Sequence, residues 1–307
     1  METSEGCVTG GGPRLFFRTS SRGRAGGEAD GGERTLVVPN GWYLLDELAP
    51  LQARGRRIVV YDPRHRGRSD AVEDPAELAR GIDADVDDLE RVREHFGLAR
   101  FDLLGHSYAG MMVALYALRH GERVGRMVQV GPMEPFPGKE YPPHLTGATM
   151  DGVLREVFAK IAELQAASEP SDPVERCRGF WAELRRIYVT DPAHAHRAEW
   201  GRCELPLERN FMRYWMGQMM PSLRALALAA EQLAAVRTPT LVVHGTRDRS
   251  APYGGAREWA MLLGDARLVT VEGAGHAPWI EAPELVLGAI AAFLDGDWPT
   301  AAETVRA

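Results

Sequence analysis

The ten residues FDLLGHSYAG, Phe101 to Gly110, decide how the rest of the chain is read. Phe101, Leu103 and Leu104 have buried-strand character, and the run then breaks into Gly105, His106, Ser107, Tyr108, Ala109 and Gly110. The following MMVALYALRH is apolar on most faces, with alanines placed for close packing, which predicts a buried helix. A strand, a tight turn around a serine and a buried helix form the setting in which a G-x-S-x-G match carries information. Small flanking residues allow the sharp turn, so the Ser107 hydroxyl is expected above the sheet. Backbone N–H groups at the helix start would then face a developing oxyanion. The fifth position is Ala109 instead of glycine, so the turn needs slightly more room. The competing reading is an ordinary parallel-sheet turn in which Ser107 only caps a helix.

Working outward, the chain of 307 residues is long enough for a large core, as one domain with an insertion or as two domains. An apolar fraction of 45% with 26% charged residues reads as a folded globular protein. A formal charge of -7 argues against nucleic acid or an anionic membrane as the main partner. Cys7, Cys177 and Cys203 are an odd, sparse set that fits a reducing compartment without a disulfide framework. A Cys177–Cys203 bridge stays open, but nothing in the sequence requires it. The N-terminus has neither a basic region nor an apolar core typical of a secretory signal, and no run approaches the roughly 18 apolar residues of a membrane span. The cytoplasm is therefore the expected compartment. Oligomeric state is not legible.

Residues 1–13 are expected to fray, followed by a strand at Leu15–Phe17 and a glycine-rich turn from Ser20 to Gly32. Buried strands are expected at Thr35–Val38, Arg57–Tyr61, Phe101–Leu104, Arg126–Val130, Thr238–His244 and Ala266–Val271. Helices are expected at Leu45–Leu51, Asp85–Phe96, Tyr253–Leu263 and Pro283–Leu294. Alternating strand and helix predicts an α/β protein with a mostly parallel central sheet and helices on both faces. Between Met133 and about Ala235 the alternation stops. Helical patterns prevail at 151–167, 173–188, 192–199 and 207–220, which reads as a helical cap inserted after the sixth strand, over the C-terminal edge of the sheet. The expected division is a first core part at 14–133, the cap at 134–235, a second core part at 236–295, and a loose tail at 296–307.

A serine hydroxyl attacks only once a base takes its proton, and an imidazole base needs a carboxylate to hold its tautomer. Asp248 follows one predicted strand and His276 follows the next. The order Ser107, Asp248, His276 is that of an α/β-hydrolase triad and of neither other main serine-triad scaffold. Asp248 beside Arg247 and Arg249 could instead be a surface ion pair, His276 a satisfied loop histidine, and Glu134 the acid of a rearranged triad. Asn40 and Gly41 after the Thr35–Val38 strand are either a plain turn or the loop that offers the Trp42 N–H as a candidate oxyanion donor, partnered by the Tyr108 N–H. Asp62 and Arg64 are read as structural, and His65 as a solvated loop residue. The Met- and aromatic-rich stretch at 211–220 is either cap core or substrate wall, with Phe211, Tyr214, Trp215 and Met219 as its pocket candidates. No H-E-x-x-H and no zinc-spaced Cys pair occurs, so neither a metal nor another cofactor is expected.

PNGW at 39–42, DPRHRGRSD at 62–70, GHSYAG at 105–110, HGTRDRSAP at 244–252 and GAGHAPW at 273–279 together resemble the α/β-hydrolase superfamily. The resemblance spans about 14–295 and is nearest the capped branch that includes proline iminopeptidases. It implies Ser107 as nucleophile, Asp248 as acid, His276 as base, and oxyanion donors at Trp42 and Tyr108. Departures are Asn40 where a histidine is common, His65 where many members have glycine, Ala109 for glycine, and Tyr108 where iminopeptidases often have tryptophan. A cap carboxylate reads the free amine in that branch, and Glu199, Glu204 and Glu208 are the candidates here. The expected activity is cleavage of an ester or amide of a small, largely apolar substrate through an acyl-enzyme. The alternatives are a proline iminopeptidase-like aminopeptidase acting on short peptides, and a C–C bond hydrolase or lyase on the same scaffold. A binding or receptor protein on this scaffold is weakened by the presence of all three triad residues.

Overall fold

The structure, a computed structural model, describes residues 2–21, 34–146, 152–166, 172–198 and 200–306. Nine strands form one sheet: β1 (Glu2–Val8), β2 (Leu15–Ser21), β3 (Thr35–Pro39), β4 (Arg57–Tyr61), β5 (Phe101–His106), β6 (Val124–Val130), β7 (Thr240–Gly245), β8 (Ala266–Val271) and β9 (Ala302–Glu303). Their spatial order is β1-β2-β4-β3-β5-β6-β7-β8-β9. Pairs from β4 through β8 are parallel, while β1–β2, β2–β4 and β8–β9 are antiparallel.

Every residue of β3, β5 and β7 is buried, as required of strands covered on both faces. The strand period then sorts side chains into two cores. Val37, Val59, Leu103 and Met127 pack with helices Ile82–His95, Tyr108–His120 and Tyr253–Leu262. Leu36, Val38, Ile58, Leu104 and Val128 pack on the opposite face with helix Pro283–Asp295. Because β3, β5, β7 and β8 run parallel, their following loops open at one edge. Trp42, Ser107, Asp248 and His276 all lie on those loops.

Between β6 and β7 the described residues form a helical insertion with helices at Gly152–Ala166, Pro173–Tyr188, Pro206–Tyr214, Met220–Arg224 and Ala230–Ala234. The expected unbroken helix at 207–220 contains a π-helical turn at Trp215–Met219. The expected 192–199 helix is a 3-10 turn over Pro192–Ala198. No described helix is long and apolar enough to cross a membrane.

Both chain ends correct the sequence reading. Residues 2–8 form an edge strand paired along its whole length with β2, although most of its side chains are exposed. Backbone pairing, invisible to apolar periodicity, orders it. The tail returns to the sheet as β9 against β8, with Val305 buried and Trp298 packed on Phe293. Most of the Ser20–Gly32 stretch lies outside the described residues.

Cys177 and Cys203 form a disulfide, so the bridge that the sequence left open is made and the reading of a chain without a disulfide framework is corrected. It also removes the cysteine argument for a reducing compartment. The bridge spans 26 residues and ties helix Pro173–Tyr188 to the segment before helix Pro206–Tyr214. Loop-closure entropy for that span is about 3 kcal/mol. Cys203→Ser should therefore destabilise the insertion by that order, measured as faster deuterium exchange across 173–198 with exchange in helix 108–120 unchanged. Equal exchange in both forms would show that the bridge contributes no stability.

Candidate active site

Ser107 follows β5 directly and starts the turn into helix Tyr108–His120, with φ 57° and ψ −123°. A non-glycine residue there is strained by roughly 1–3 kcal/mol, so its neighbours must hold it. A Cβ at Gly105 would lie 2.2 Å from the Ala109 carbonyl oxygen, and one at Gly110 would lie 2.9 Å from Pro132 Cβ. Both positions need glycine because the turn is so tight. Ser107 N–H donates to Val130 C=O at 3.0 Å, while Ser107 C=O accepts from Gly110 N–H at 2.9 Å and Met133 N–H at 3.2 Å. The Ser107 side chain is half-buried and makes no capping bond to the helix it precedes. The capping alternative is therefore not realised. Ala109 is buried within the turn, so its extra methyl is accommodated.

His276 Nδ1–H donates to Asp248 Oδ2 at 2.7 Å, with both side chains almost fully buried. That bond places the proton on Nδ1 and leaves Nε2 as the basic nitrogen. Asp248 Oδ1 accepts from the N–H groups of Ser250 at 2.6 Å and Ala251 at 2.9 Å. Burial alone would raise the Asp248 pKa, but His276 and these hydrogen bonds outweigh it and hold the carboxyl below its ordinary value. His244 lies beside the pair, its Nε2 3.4 Å from Asp248 Oδ2. Burial depresses the His244 pKa, and its Nδ1–H donates to the Gly245 carbonyl. Glu134 Oε1 accepts from Gly138 N–H at 3.4 Å, and burial raises its pKa. The imidazole is held by Asp248.

His106, the neighbour of Ser107, brings the β5 and β8 loops together. Its Nε2–H donates to the His276 carbonyl at 3.1 Å, and the two rings are 4.6 Å apart. Its Nδ1 accepts from the Tyr43 hydroxyl at 2.6 Å. Burial keeps His106 neutral by depressing its pKa. The sequence reading missed both residues. His106 sits inside the decisive motif, but periodicity cannot say which way its ring faces.

Trp42 and Tyr108 are each the first residue of a helical turn, so their N–H groups have no acceptor within that turn. A Cβ at Gly41 would lie 2.3 Å from Val38 Cγ1, which explains the glycine before Trp42. The Tyr108 hydroxyl donates to Asp85 Oδ2 at 2.5 Å and its ring meets Trp215 edge-on at 5.2 Å. Asp85 is deeply buried, and desolvation pushes its pKa up to about 7.

The 211–220 side chains divide. Phe211 lies 3.8 Å below the Arg66 guanidinium, and Tyr214 stacks on His65 at 3.9 Å. Trp215 contacts Tyr108, whereas Met219 is 1% exposed and belongs to the core on the sheet. His65 is buried, not solvated, and burial with nearby Arg64 lowers its pKa to about 4. Arg64 pairs with Asp88, and Asp62 accepts from Arg68 N–H and Arg202.

Glu208 is fully enclosed. It accepts from Arg66 at 3.2 Å, Gly67 N–H at 2.8 Å and Arg202 at 3.1 Å. Burial raises its pKa less than the two guanidiniums lower it, so it is an ionised structural anchor. Glu204 is exposed, and lines a surface cleft with Trp42, Arg68 and Arg202. Glu199 lies outside the described residues.

Residues 38–283 match the family model of the α/β hydrolase fold, so the chain belongs to that family. A non-heme haloperoxidase of Rhodococcus erythropolis is 27% identical, over 80% of this chain and 86% of that protein. A proline iminopeptidase of Lactobacillus helveticus is 25% identical, over 83% and 85%. A structure of a serine hydrolase from a polyaromatic hydrocarbon-degrading Cycloclasticus superposes with TM-score 0.70, 18% identity and coverage of 96% and 99%. At that identity the structural likeness speaks to fold alone.

The Asp85 carboxyl yields a pH prediction. Its folded pKa is about 7 against 3.8 ordinarily, so between pH 4 and 7 the unfolded chain ionises while the folded one stays protonated. That group's contribution to stability falls as pH rises through this window, by up to about 4 kcal/mol. Asp85→Asn should gain stability relative to the parent as pH rises from 4 to 7, then level off. Denaturant titrations at both ends of the window check this, and a pH-independent difference would refute the buried neutral carboxyl.

Proposed function

We propose that the protein is a serine hydrolase cleaving an ester or amide bond of a small, largely apolar substrate through an acyl-enzyme. Ser107 is the nucleophile, His276 the base and Asp248 the acid. The observation that carries this reading is the buried Asp248–His276 hydrogen bond beside the loop that holds Ser107 at positive φ. In the forward step His276 Nε2 takes the Ser107 proton as Oγ attacks the substrate carbonyl. The N–H groups of Trp42 and Tyr108 receive the oxyanion. The imidazolium, stabilised by ionised Asp248, then protonates the leaving group, and water reverses the sequence to release the acid. No cofactor is called for. Residues 134–235 are the cap that shapes the pocket, with Phe211, Tyr214 and Trp215 as its aromatic wall.

A second reading, prolyl aminopeptidase, is favoured by the proline iminopeptidases among the relatives. It needs a carboxylate for the substrate ammonium, because a buried ammonium must be paired. Glu208 is already held by Arg66 and Arg202, which leaves Glu204 among the described candidates.

A panel of p-nitrophenyl esters and aminoacyl arylamides tests both, with a fluorophosphonate probe alongside. Apolar esters should be cleaved and Ser107 labelled, with both lost in Ser107→Ala. Prolyl arylamide turning over much faster than its N-blocked form or the esters would reverse the ranking. Asp248→Asn should lower kcat by about 10⁴ through the wrong imidazole tautomer. Near-normal turnover in that variant, with loss in Glu134→Gln, would move the acid to Glu134.

A further inference from the structure

Both residues flanking His276 are hydrogen-bonded into a contact with the helical insertion. Ala277 N–H donates to the Tyr188 carbonyl at 2.8 Å. Gly275 N–H donates to Glu281 Oε2 at 2.6 Å, while Glu281 Oε1 accepts from Thr190 N–H at 2.8 Å and Asp191 N–H at 3.0 Å. One carboxylate thus gathers three backbone donors, two from the insertion and one from the loop that carries the base. An ionised carboxylate has the acceptor sites for all three, and charge-assisted bonds are the strong ones. The approach is built into the sequence at Gly275, where a Cβ would lie 2.9 Å from the Tyr188 carbonyl oxygen. The Tyr188 ring stacks on the His276 imidazole at 5.2 Å, and Arg249 Nη1 donates to Val189 C=O at 3.0 Å, next to Asp248 in sequence.

We infer that Glu281 is a positioning residue: its carboxylate clamps the 188–191 segment of the insertion to the His276 loop, so that seating the insertion and aiming the base are one event. The catalytic consequence rests on the serine hydrolase reading, whereas the clamp does not. Glu281→Ala leaves the three N–H donors without their acceptor. Glu281→Gln keeps the shape but supplies only one acceptor oxygen, so one side of the clamp meets a donor instead.

Two measurements on the full chain test the inference. Hydrogen–deuterium exchange should rise about tenfold in both 188–191 and 272–277 for Glu281→Ala, and on one side for Glu281→Gln. Fluorophosphonate labelling of Ser107 should slow about tenfold in Glu281→Ala and less in Glu281→Gln. Unchanged exchange in both segments overturns the clamp. Raised exchange with an unchanged labelling rate, or a rate in Glu281→Gln as low as in Glu281→Ala, overturns the positioning role. If Glu281→Ala does not fold, Glu281→Gln carries both measurements. If the parent protein does not label at all, the hydrolase reading fails and exchange alone decides the clamp.

Discussion

The left-handed backbone of Ser107 is the constraint on which the rest of the structure depends. A side chain held at φ 57° relaxes unless the residues around it leave no alternative. Here β5 enters the turn fully buried, and the helix beyond it is buried over nearly its whole length. Gly105 and Gly110 bring the two elements closer than any side chain allows. The hydrogen bonds of Ser107 N–H to β6 and of Met133 N–H to Ser107 then tie the turn to the neighbouring strand. The strain is sustained by two cores, one on each face of the sheet.

Around that turn the polar groups are arranged so that few titrate freely. Asp248 is kept ionised by His276 and backbone donors, while His106 and His244 are kept neutral by burial. These opposite outcomes come from the same low-dielectric surroundings, and hydrogen-bond partners decide between them. The loop at 62–70 extends this pattern toward the insertion. Arg66 and Arg202 enclose Glu208, and Arg202 also reaches Asp62 and covers the Trp42 ring. Leaving any one of these charges unpaired would strand its partners in a buried site.

Aromatic rings complete the junction between insertion and core. Trp200 stacks on Tyr43 at 4.3 Å and on Tyr188 at 5.0 Å, and Tyr43 bonds His106. The rings of the insertion therefore reach the two histidines of the site through direct contact. The disulfide closes the same segment, joining Cys177 before Tyr188 to Cys203 after Trp200.

The sequence by itself determined what depends on local pattern: the buried strands from Thr35 to Val271, the serine turn, and the chain order of Ser107, Asp248 and His276. Strand periodicity and glycine spacing are local properties, and parallel strands put their C-terminal loops at one edge whatever their distance in sequence. Only the tertiary structure decided matters that turn on partners remote in sequence. Residues 2–8 read as frayed because their order comes from pairing with β2, not from apolar content. Glu208 read as a candidate amine reader, yet Arg66, 142 positions away, occupies it. His65 read as solvated, but Tyr214 covers it. Tyr188 and Glu281 carried no signal, because a backbone carbonyl of one and a carboxylate of the other acquire roles only when insertion and base loop meet. The Cys177–Cys203 bridge followed the same rule: three cysteines allow three pairings, and the packing of helix Pro173–Tyr188 against the turn before helix Pro206–Tyr214 selects one.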